Sequence, residues 1–131
     1  MGSVRVLTVD DHATFREAAR ALVAATSGFE SVGEASTGEE GIAAAIRLQP
    51  DVVLLDVSLP GIDGYEVARR MAPQVPNALI FLMSATDGAI QGDVAARCGA
   101  SVFVRKQDLR PSVLEAAWSA HARTHPIEGH T

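Results

Sequence analysis

The stretch that decides the fold runs from residue 50 to residue 66 and reads P-D-V-V-L-L-D-V-S-L-P-G-I-D-G-Y-E. Its apolar run, Val52 to Leu55, is short, unbroken and rich in β-branched residues, which is typical of a strand buried on both faces of a parallel sheet. Asp56 ends this run. Pro60-Gly61 and Asp63-Gly64 follow at once, so the chain must leave the sheet in a turn. The sequence therefore predicts the Asp56 carboxylate at the carboxyl end of a strand, where ligands of open α/β sheets bind.

The composition indicates one globular domain with an acidic balance of charge. The chain has 131 residues, 47% of them hydrophobic, and a formal net charge of -5. A chain of this size can bury a substantial core, and its charge argues against a nucleic-acid surface. Cys98 is the only cysteine, so no internal disulfide can form. Because the apolar runs are too short to span a bilayer and no basic-then-apolar leader is present, we expect a cytoplasmic protein without membrane contact.

Apolar runs and helix-capping signals alternate along the chain. Besides the central run, four others predict strands, at Val4 to Val9, Ser31 to Ser36, Ala78 to Met83 and Ser101 to Arg105. Capping boxes at residues 14–17 and 37–40 predict the beginnings of the first two of five helices. Short strands alternating with helices indicate βαβ units. The predicted fold class is therefore α/β, a doubly wound five-stranded parallel sheet with five helices.

Three further predictions concern the helices and the chain end. The second helix is predicted to bury Ile42, Ala45 and Ile46 against the sheet. The predicted helix over residues 87–98 contains two glycines and should be the least stable. Three of the four histidines lie from His121 onward, and we interpret them as solvated tail side chains rather than as a metal site. We expect one domain over residues 1–122 and a flexible tail over residues 123–131.

Polar side chains follow four of the five predicted strands. Because parallel strands end at the same edge of a sheet, these side chains should meet there; they are Asp10, Asp11, Asp56, Ser84 and Lys106. Carboxylates a few ångströms apart repel by about 4 kcal/mol per pair at an effective dielectric near 20, so a cation is expected among them. Oxygen ligands with several retained waters favour Mg²⁺. A lysine and a hydroxyl opposite the acids would suit a transferred phosphoryl group, with Asp56 as its nucleophile.

This pattern resembles the receiver domain of two-component response regulators. The resemblance covers roughly Ser3 to Ala120 and depends on D-D after the first strand, D after the third, S-A after the fourth, K after the fifth, and the P-G-x-D-G turn. It implies a flavodoxin-like sheet of order 2-1-3-4-5. The segments V-D-D-H-x-x-F-R and K-Q-D-L-x-P-S-V-L-E-A-A are most similar to the NarL/FixJ subfamily.

The resemblance also implies a role for each residue near the predicted metal site. Asp56 matches the phosphoacceptor, and Asp11 matches the acid that binds Mg²⁺ directly. Asp10 matches the neighbouring acid, which acts through water. Ser58 matches the residue that supplies a backbone carbonyl to the metal, with its side chain facing the phosphoryl site.

Three other positions match residues that contact the phosphoryl group or change conformation. Ser84 matches the switch hydroxyl, Phe103 the switch aromatic, and Lys106 the lysine that contacts the phosphate. Gln107 follows Lys106 where many receivers have a proline after a cis peptide bond, so the geometry of this bond stays open.

The function implied is that of a phosphorylation-activated receiver. A sensor histidine kinase would be its partner, Mg²⁺ its cofactor, and homodimerisation a possible response to phosphorylation. A helix-turn-helix output domain normally follows such a receiver, and none lies within these residues, so a stand-alone phosphate shuttle is the alternative. A phosphatase with an aspartyl-phosphate intermediate is disfavoured because it needs a second acid where this chain has Ser58. A module that signals without phosphate is disfavoured by the complete acid set, and we expect no enzyme of independent function.

Overall fold

The computed structural model describes residues 2–85 and 102–124. Strands and helices alternate over residues 4–84, as the sequence predicts, and a further strand and helix lie within residues 102–124. Their bounds are β1 (Val4–Val9), α1 (Ala13–Ala24), β2 (Phe29–Ala35), α2 (Gly38–Leu48), β3 (Val52–Asp56), α3 (Gly64–Met71), β4 (Leu79–Ser84), β5 (Val102–Arg105) and α4 (Pro111–Thr124). One 3-10 turn follows α3 and another, Lys106–Asp108, follows β5. The helix predicted over residues 87–98 lies outside the described residues.

The five strands form one parallel sheet in the order β2-β1-β3-β4-β5. This confirms the predicted flavodoxin-like order. Strand β1 pairs with β2 on one side and with β3 on the other. Every residue of β3 and of β4 is buried, because these strands lie inside the sheet with helices on both faces. The short continuous apolar runs of the sequence correspond to these two strands.

Alternate residues of the strands form two apolar clusters, one on each face of the sheet. On one face, Leu55 and Leu82 pack with side chains of α2 and α3, which include Ala45 and Met71. On the other face, Leu54 and Phe81 belong to the cluster that includes side chains of α1 and α4. The two clusters hold the sheet rigid between layers of helix, so its carboxyl edge offers a fixed platform for a site.

The two predicted capping boxes have different outcomes. At α2, Thr37 Oγ1 accepts a hydrogen bond from the Glu40 backbone N–H at 3.1 Å, which confirms that cap. At α1, the prediction of a box beginning at Thr14 is wrong. The helix begins at Ala13 with His12 as its N-cap residue, and the His12 side chain makes no capping hydrogen bond. The preceding strand end determines this start, because the Asp10 carboxylate holds the His12 backbone N–H at 2.8 Å.

Two side chains have burial opposite to the prediction. Ile46 is 48% exposed, because α2 turns its small residues, including Ala44 and Ala45, toward the sheet. His121 is 7% exposed and not a tail residue: its Nε2 lies 2.9 Å from the carbonyl oxygen of Asn77, which precedes β4. Helix α4 continues to Thr124, so residues 123 and 124 belong to the helix rather than to the predicted tail. His125 and His130 lie outside the described residues.

Candidate functional site

The carboxyl edge of the sheet carries the polar residues that the sequence predicts there. Asp10 follows β1, and its backbone N–H donates to the carbonyl of Ala35 in β2 at 3.0 Å. Asp56 is the last residue of β3, and Ser84 is the last residue of the adjacent strand β4. Lys106 follows β5 directly. Asp10, Asp56 and Ser84 are at most 1% exposed, so this edge is a buried polar pocket.

Three aspartates meet in this pocket. Carboxylate oxygens of Asp10, Asp11 and Asp56 and a ring nitrogen of His12 all lie within 4.8 Å of one another. His12 Nδ1 is 3.0 Å from Asp10 Oδ1 and 3.2 Å from Asp11 Oδ1. The expectation of a cluster with oxygen ligands alone is therefore incomplete, since an exposed imidazole lies at its rim. His12, the third residue of the D-D-H segment, was the sequence signal for this imidazole, and the sequence interpretation did not use it.

Lys106 is the cation that faces the acids. Its Nζ atom lies 2.6 Å from Asp10 Oδ2 and 3.6 Å from Asp56 Oδ2, and its side chain is 14% exposed. The same ammonium lies 4.5 Å from the centroid of the Phe15 ring, at the start of α1. The Lys106 charge therefore lies close to two buried carboxylates, nearer to Asp10 than to Asp56.

The charges of the pocket favour binding of a further cation. Burial raises the pKa of the Asp56 carboxyl above its ordinary value, and the Asp10 and Asp11 charges act in the same direction. The Ser58 backbone N–H, which donates to Asp56 Oδ1 at 3.1 Å, and the Lys106 ammonium only partly oppose that rise. Among the described residues, Asp56 Oδ2 accepts no hydrogen bond, whereas Asp10 Oδ2 has the Lys106 ammonium 2.6 Å away. A buried carboxylate oxygen without a hydrogen-bond donor, beside two further carboxylates, fits a hard divalent ion such as Mg²⁺.

The turn after β3 is closed by a glycine in contact with the backbone of the site. Gly64 donates its N–H to the carbonyl of Val57 at 3.0 Å. A Cβ at residue 64 would lie 2.5 Å from Val57 Cα and would overlap the carbonyl oxygen of Asp56. Asp63 caps α3 by accepting from the Glu66 N–H at 2.9 Å. The P-G-x-D-G motif thus brings α3 against the end of β3, a close contact that the sequence interpretation did not predict.

Arg16 contacts both Asp10, at the end of β1, and the edge strand β2. The sequence interpretation did not assign it these contacts. Its Nη1 donates to the carbonyl of Asp10 at 2.8 Å, while its Nε lies 3.5 Å from the Glu34 carboxylate in β2. Arg20, one turn further along α1, also pairs with Glu34, at 2.6 Å. The Asp10 backbone is therefore held from both the helix and the sheet. The F-R pair of the V-D-D-H-x-x-F-R segment was the signal that could have indicated this contact.

The remaining predicted site residues lie beside the acid pocket. Ser58 is exposed, and its backbone N–H, rather than its hydroxyl, contacts Asp56. Phe103 is partly buried in β5 opposite Leu82. Within residues 2–85 and 102–124 no peptide bond is cis, so the bond between Lys106 and Gln107 is trans.

The fold and the pocket together define a class of protein, and comparison with known families agrees. Residues 6–117 match the response regulator receiver domain family. Because this match spans most of the chain, the protein belongs to the response regulator receiver domain family.

Individual relatives also include NarL-type regulators, which confirms the resemblance seen in the sequence. The chain is 40% identical over 81 residues to the response regulator GacA of Pseudomonas viridiflava, covering 62% of this chain and 38% of that protein. It is 35% identical over 105 residues to a protein-glutamate methylesterase/protein-glutamine glutaminase of Alkalilimnicola ehrlichii, covering 79% of this chain and 27% of that protein.

Solved receiver structures share the fold over nearly the whole chain. One is the signal receiver domain of a response regulator described as NarL from Mycobacterium tuberculosis, with a TM-score of 0.81 and 30% identity, covering 92% of this chain and 98% of that one. Another is the response regulator domain of CheB from Thermotoga maritima, with a TM-score of 0.79 and 27% identity, covering 91% and 96% of the two chains.

The chain spans 27% of the length of the Alkalilimnicola ehrlichii methylesterase and 38% of that of the Pseudomonas viridiflava GacA. Among the residues that the structure describes, no helix combines the length and apolar character needed to cross a membrane.

Proposed function

We propose that this receiver accepts a phosphoryl group on Asp56 from the phosphohistidine of a sensor histidine kinase. One observation carries the proposal: Asp56 Oδ2 is buried, accepts no hydrogen bond from the described residues, and lies 3.6 Å from the Lys106 ammonium. The atom therefore has a lone pair available to attack phosphorus, and a cation stands beside the charge that the transfer brings in. The Ser58 N–H holds the other oxygen, Oδ1, and fixes the orientation of the carboxylate.

The residues that would hold Mg²⁺ are Asp11 directly, Asp10 through water, Asp56, and the backbone carbonyl of Ser58. This set is supported by the convergence of three aspartates and by the buried Asp56 Oδ2 atom, which accepts no hydrogen bond from the described residues. When bound, the ion neutralises charge on the phosphoryl oxygens and on the carboxylates together. The lone pair of Asp56 Oδ2 then forms the new O–P bond, the P–N bond of the donor breaks, and the imidazole leaves with the bonding electrons and takes a proton from water. Lys106 contacts the transferred oxygens throughout.

The conformational response that we propose follows the ends of β4 and β5. Ser84 would move to hydrogen-bond a phosphoryl oxygen, and Phe103, already partly buried, would turn inward to fill the space left. The surface around β5 would then bind different partner proteins. Such a change is a two-state switch biased by local charge.

The wider role is that of a signalling switch in the cytoplasm. We propose that phosphorylation promotes homodimerisation and controls a DNA-binding output domain, with no nucleic-acid or membrane contact by this domain itself. The similarity to GacA and to NarL-type receivers supports that role. A stand-alone receiver that passes on a phosphoryl group is the alternative. In both cases the protein is no enzyme beyond assisting its own phosphorylation and dephosphorylation.

The test is intact-protein mass after incubation with acetyl phosphate, with and without magnesium. Wild-type protein should gain the mass of one phosphoryl group only with magnesium, and Asp56→Asn should gain none. Asp63→Asn, the same chemical change at an exposed helix cap, serves as the matched control and should behave as wild type. Phosphorylation of Asp56→Asn at the wild-type level would refute Asp56 as the acceptor.

A further inference from the structure

Phe15 makes a contact with the pocket that the proposed chemistry does not yet use. Its ring centroid lies 4.5 Å from Lys106 Nζ, within the range in which an aromatic face attracts an ammonium. Phe15 is in the first turn of α1, and it is partly buried against the cluster that includes Val6 and Ala19. The ring is therefore anchored by the core on one side and presents a fixed surface to Lys106 on the other.

The ammonium of Lys106 needs such a surface because its other contacts are unequal. A lysine side chain has four rotatable bonds. The Lys106 Nζ atom lies 2.6 Å from Asp10 Oδ2 but 3.6 Å from Asp56 Oδ2. Asp10 is an anion and so competes with phosphoryl oxygens for the same ammonium. The face of Phe15 attracts the ammonium without carrying a full charge, so the lysine can shift toward Asp56 and still stay within the pocket.

We propose that Phe15 is a positioning residue for phosphorylation, which holds Lys106 over the acid pocket through a cation–π contact. This inference depends on the proposed function of Asp56. It also assigns a physical role to the phenylalanine of the V-D-D-H-x-x-F-R segment. Phe15 acts through Lys106 and touches no reacting atom.

The experiment compares phosphorylation rates at saturating Mg²⁺, with acetyl phosphate as donor and intact mass as the readout. Phe15→Leu should be about three- to tenfold slower than wild type, which corresponds to the loss of one partly desolvated cation–π contact. Phe15→Tyr keeps an aromatic face and should stay within about twofold of wild type. The matched control is Phe29→Leu, since Phe29 packs on the same cluster and lies at the opposite end of the sheet. It should phosphorylate as wild type does.

Two further measurements separate positioning from general damage. Titration calorimetry of Mg²⁺ should find that Phe15→Leu binds the ion no more weakly than wild type, whereas a disordered pocket would bind it more weakly. The ε-methylene protons of Lys106 should show an upfield ring-current shift in wild type and Phe15→Tyr that Phe15→Leu loses. This second readout needs no phosphorylation.

Each outcome decides between the two proposals. If wild type is phosphorylated and Phe15→Leu keeps its rate, or if Phe15→Tyr is as slow as Phe15→Leu, the positioning role is wrong while the proposed function stands. If wild type is not phosphorylated on Asp56, both proposals are overturned.

Discussion

The Lys106 ammonium lies 2.6 Å from Asp10 Oδ2, an oxygen on a side chain with no solvent exposure, and it is a full ångström farther from Asp56. Lys106 therefore lies closer to the negative charge of Asp10, which would assist the metal, than to that of Asp56, which would accept the phosphoryl group. A divalent ion bound among these acids would compete with Lys106 for the same negative charge.

This competition predicts opposite effects of one substitution on two measurements. Lys106→Met should bind Mg²⁺ roughly fivefold more tightly or better, because like charges a few ångströms apart repel by kilocalories per mole at an effective dielectric near 20. The same variant should be phosphorylated far more slowly than wild type. Titration calorimetry and intact mass measure the two effects. Weaker Mg²⁺ binding by Lys106→Met would contradict the competition.

Asp56→Asn should raise the stability of the protein at neutral pH. Burial raises the pKa of the Asp56 carboxyl above 3.8, so the folded protein holds this proton more tightly than the unfolded chain does. A raised carboxyl pKa stabilises the fold at low pH, and that contribution is lost as the pH rises through the raised value. The ionised carboxylate therefore destabilises the neutral-pH fold, and its removal should raise the free energy of unfolding by more than about 0.5 kcal/mol.

Urea unfolding over a pH series without divalent ions measures this effect. The gap between Asp56→Asn and wild type should narrow as the pH is lowered into the acid range, because the wild-type carboxyl is then protonated and residue 56 is neutral in both proteins. Asp63→Asn should show no such pH-dependent gain, since asparagine caps a helix about as well as aspartate. A constant gap at every pH would show that charge at Asp56 is not its cause.

Gly64→Ala should damage both stability and phosphorylation. The added Cβ would lie 2.5 Å from Val57 Cα, and backbone there can yield only by moving the end of β3. We expect the free energy of unfolding to fall by about 2 kcal/mol or more, as for an overpacked core. The control is Gly61→Ala. Gly61 has a φ of +80° but no atom within 4 Å of its added Cβ, so that variant should lose about 1 kcal/mol and still be phosphorylated normally. Equal phosphorylation rates in the two variants would count against the close-contact explanation.

Arg16→Met should lower stability more than the same change at Arg20. Arg16 donates to the carbonyl of the buried residue Asp10, and a hydrogen bond from a charged donor contributes about 1.5–3 kcal/mol. Arg20 pairs with Glu34 on the surface, where solvent screens the interaction, and its loss should be smaller. Chemical denaturation of both variants measures the difference. Equal losses would mean that the Asp10 contact adds nothing.

Much of this architecture could be predicted because its determinants are local. The run before Asp56 indicates a buried strand by composition alone, and parallel strands must end at one edge, so the meeting of Asp10 and Asp56 followed from the order of elements. The cap at Thr37 was predictable for the same reason, since donor and acceptor lie three residues apart.

The features that sequence did not reveal depend on contacts between distant segments. His121 is buried where its ring nitrogen hydrogen-bonds to the carbonyl oxygen of Asn77, a residue far away in the chain. The contact of Phe15 with Lys106 joins the first helix to the last strand end, and no spacing rule indicates it. The start of α1 was misassigned because Asp10, a residue of the preceding strand end, fixes His12.

The most direct test of the account locates the phosphoryl group chemically. Borohydride reduces an aspartyl phosphate to homoserine, which tandem mass spectrometry of peptides can assign to one residue. After treatment with acetyl phosphate and magnesium, the account predicts homoserine at position 56 alone. Homoserine at position 10 or 11, or none in protein that has gained a phosphoryl mass, would contradict it.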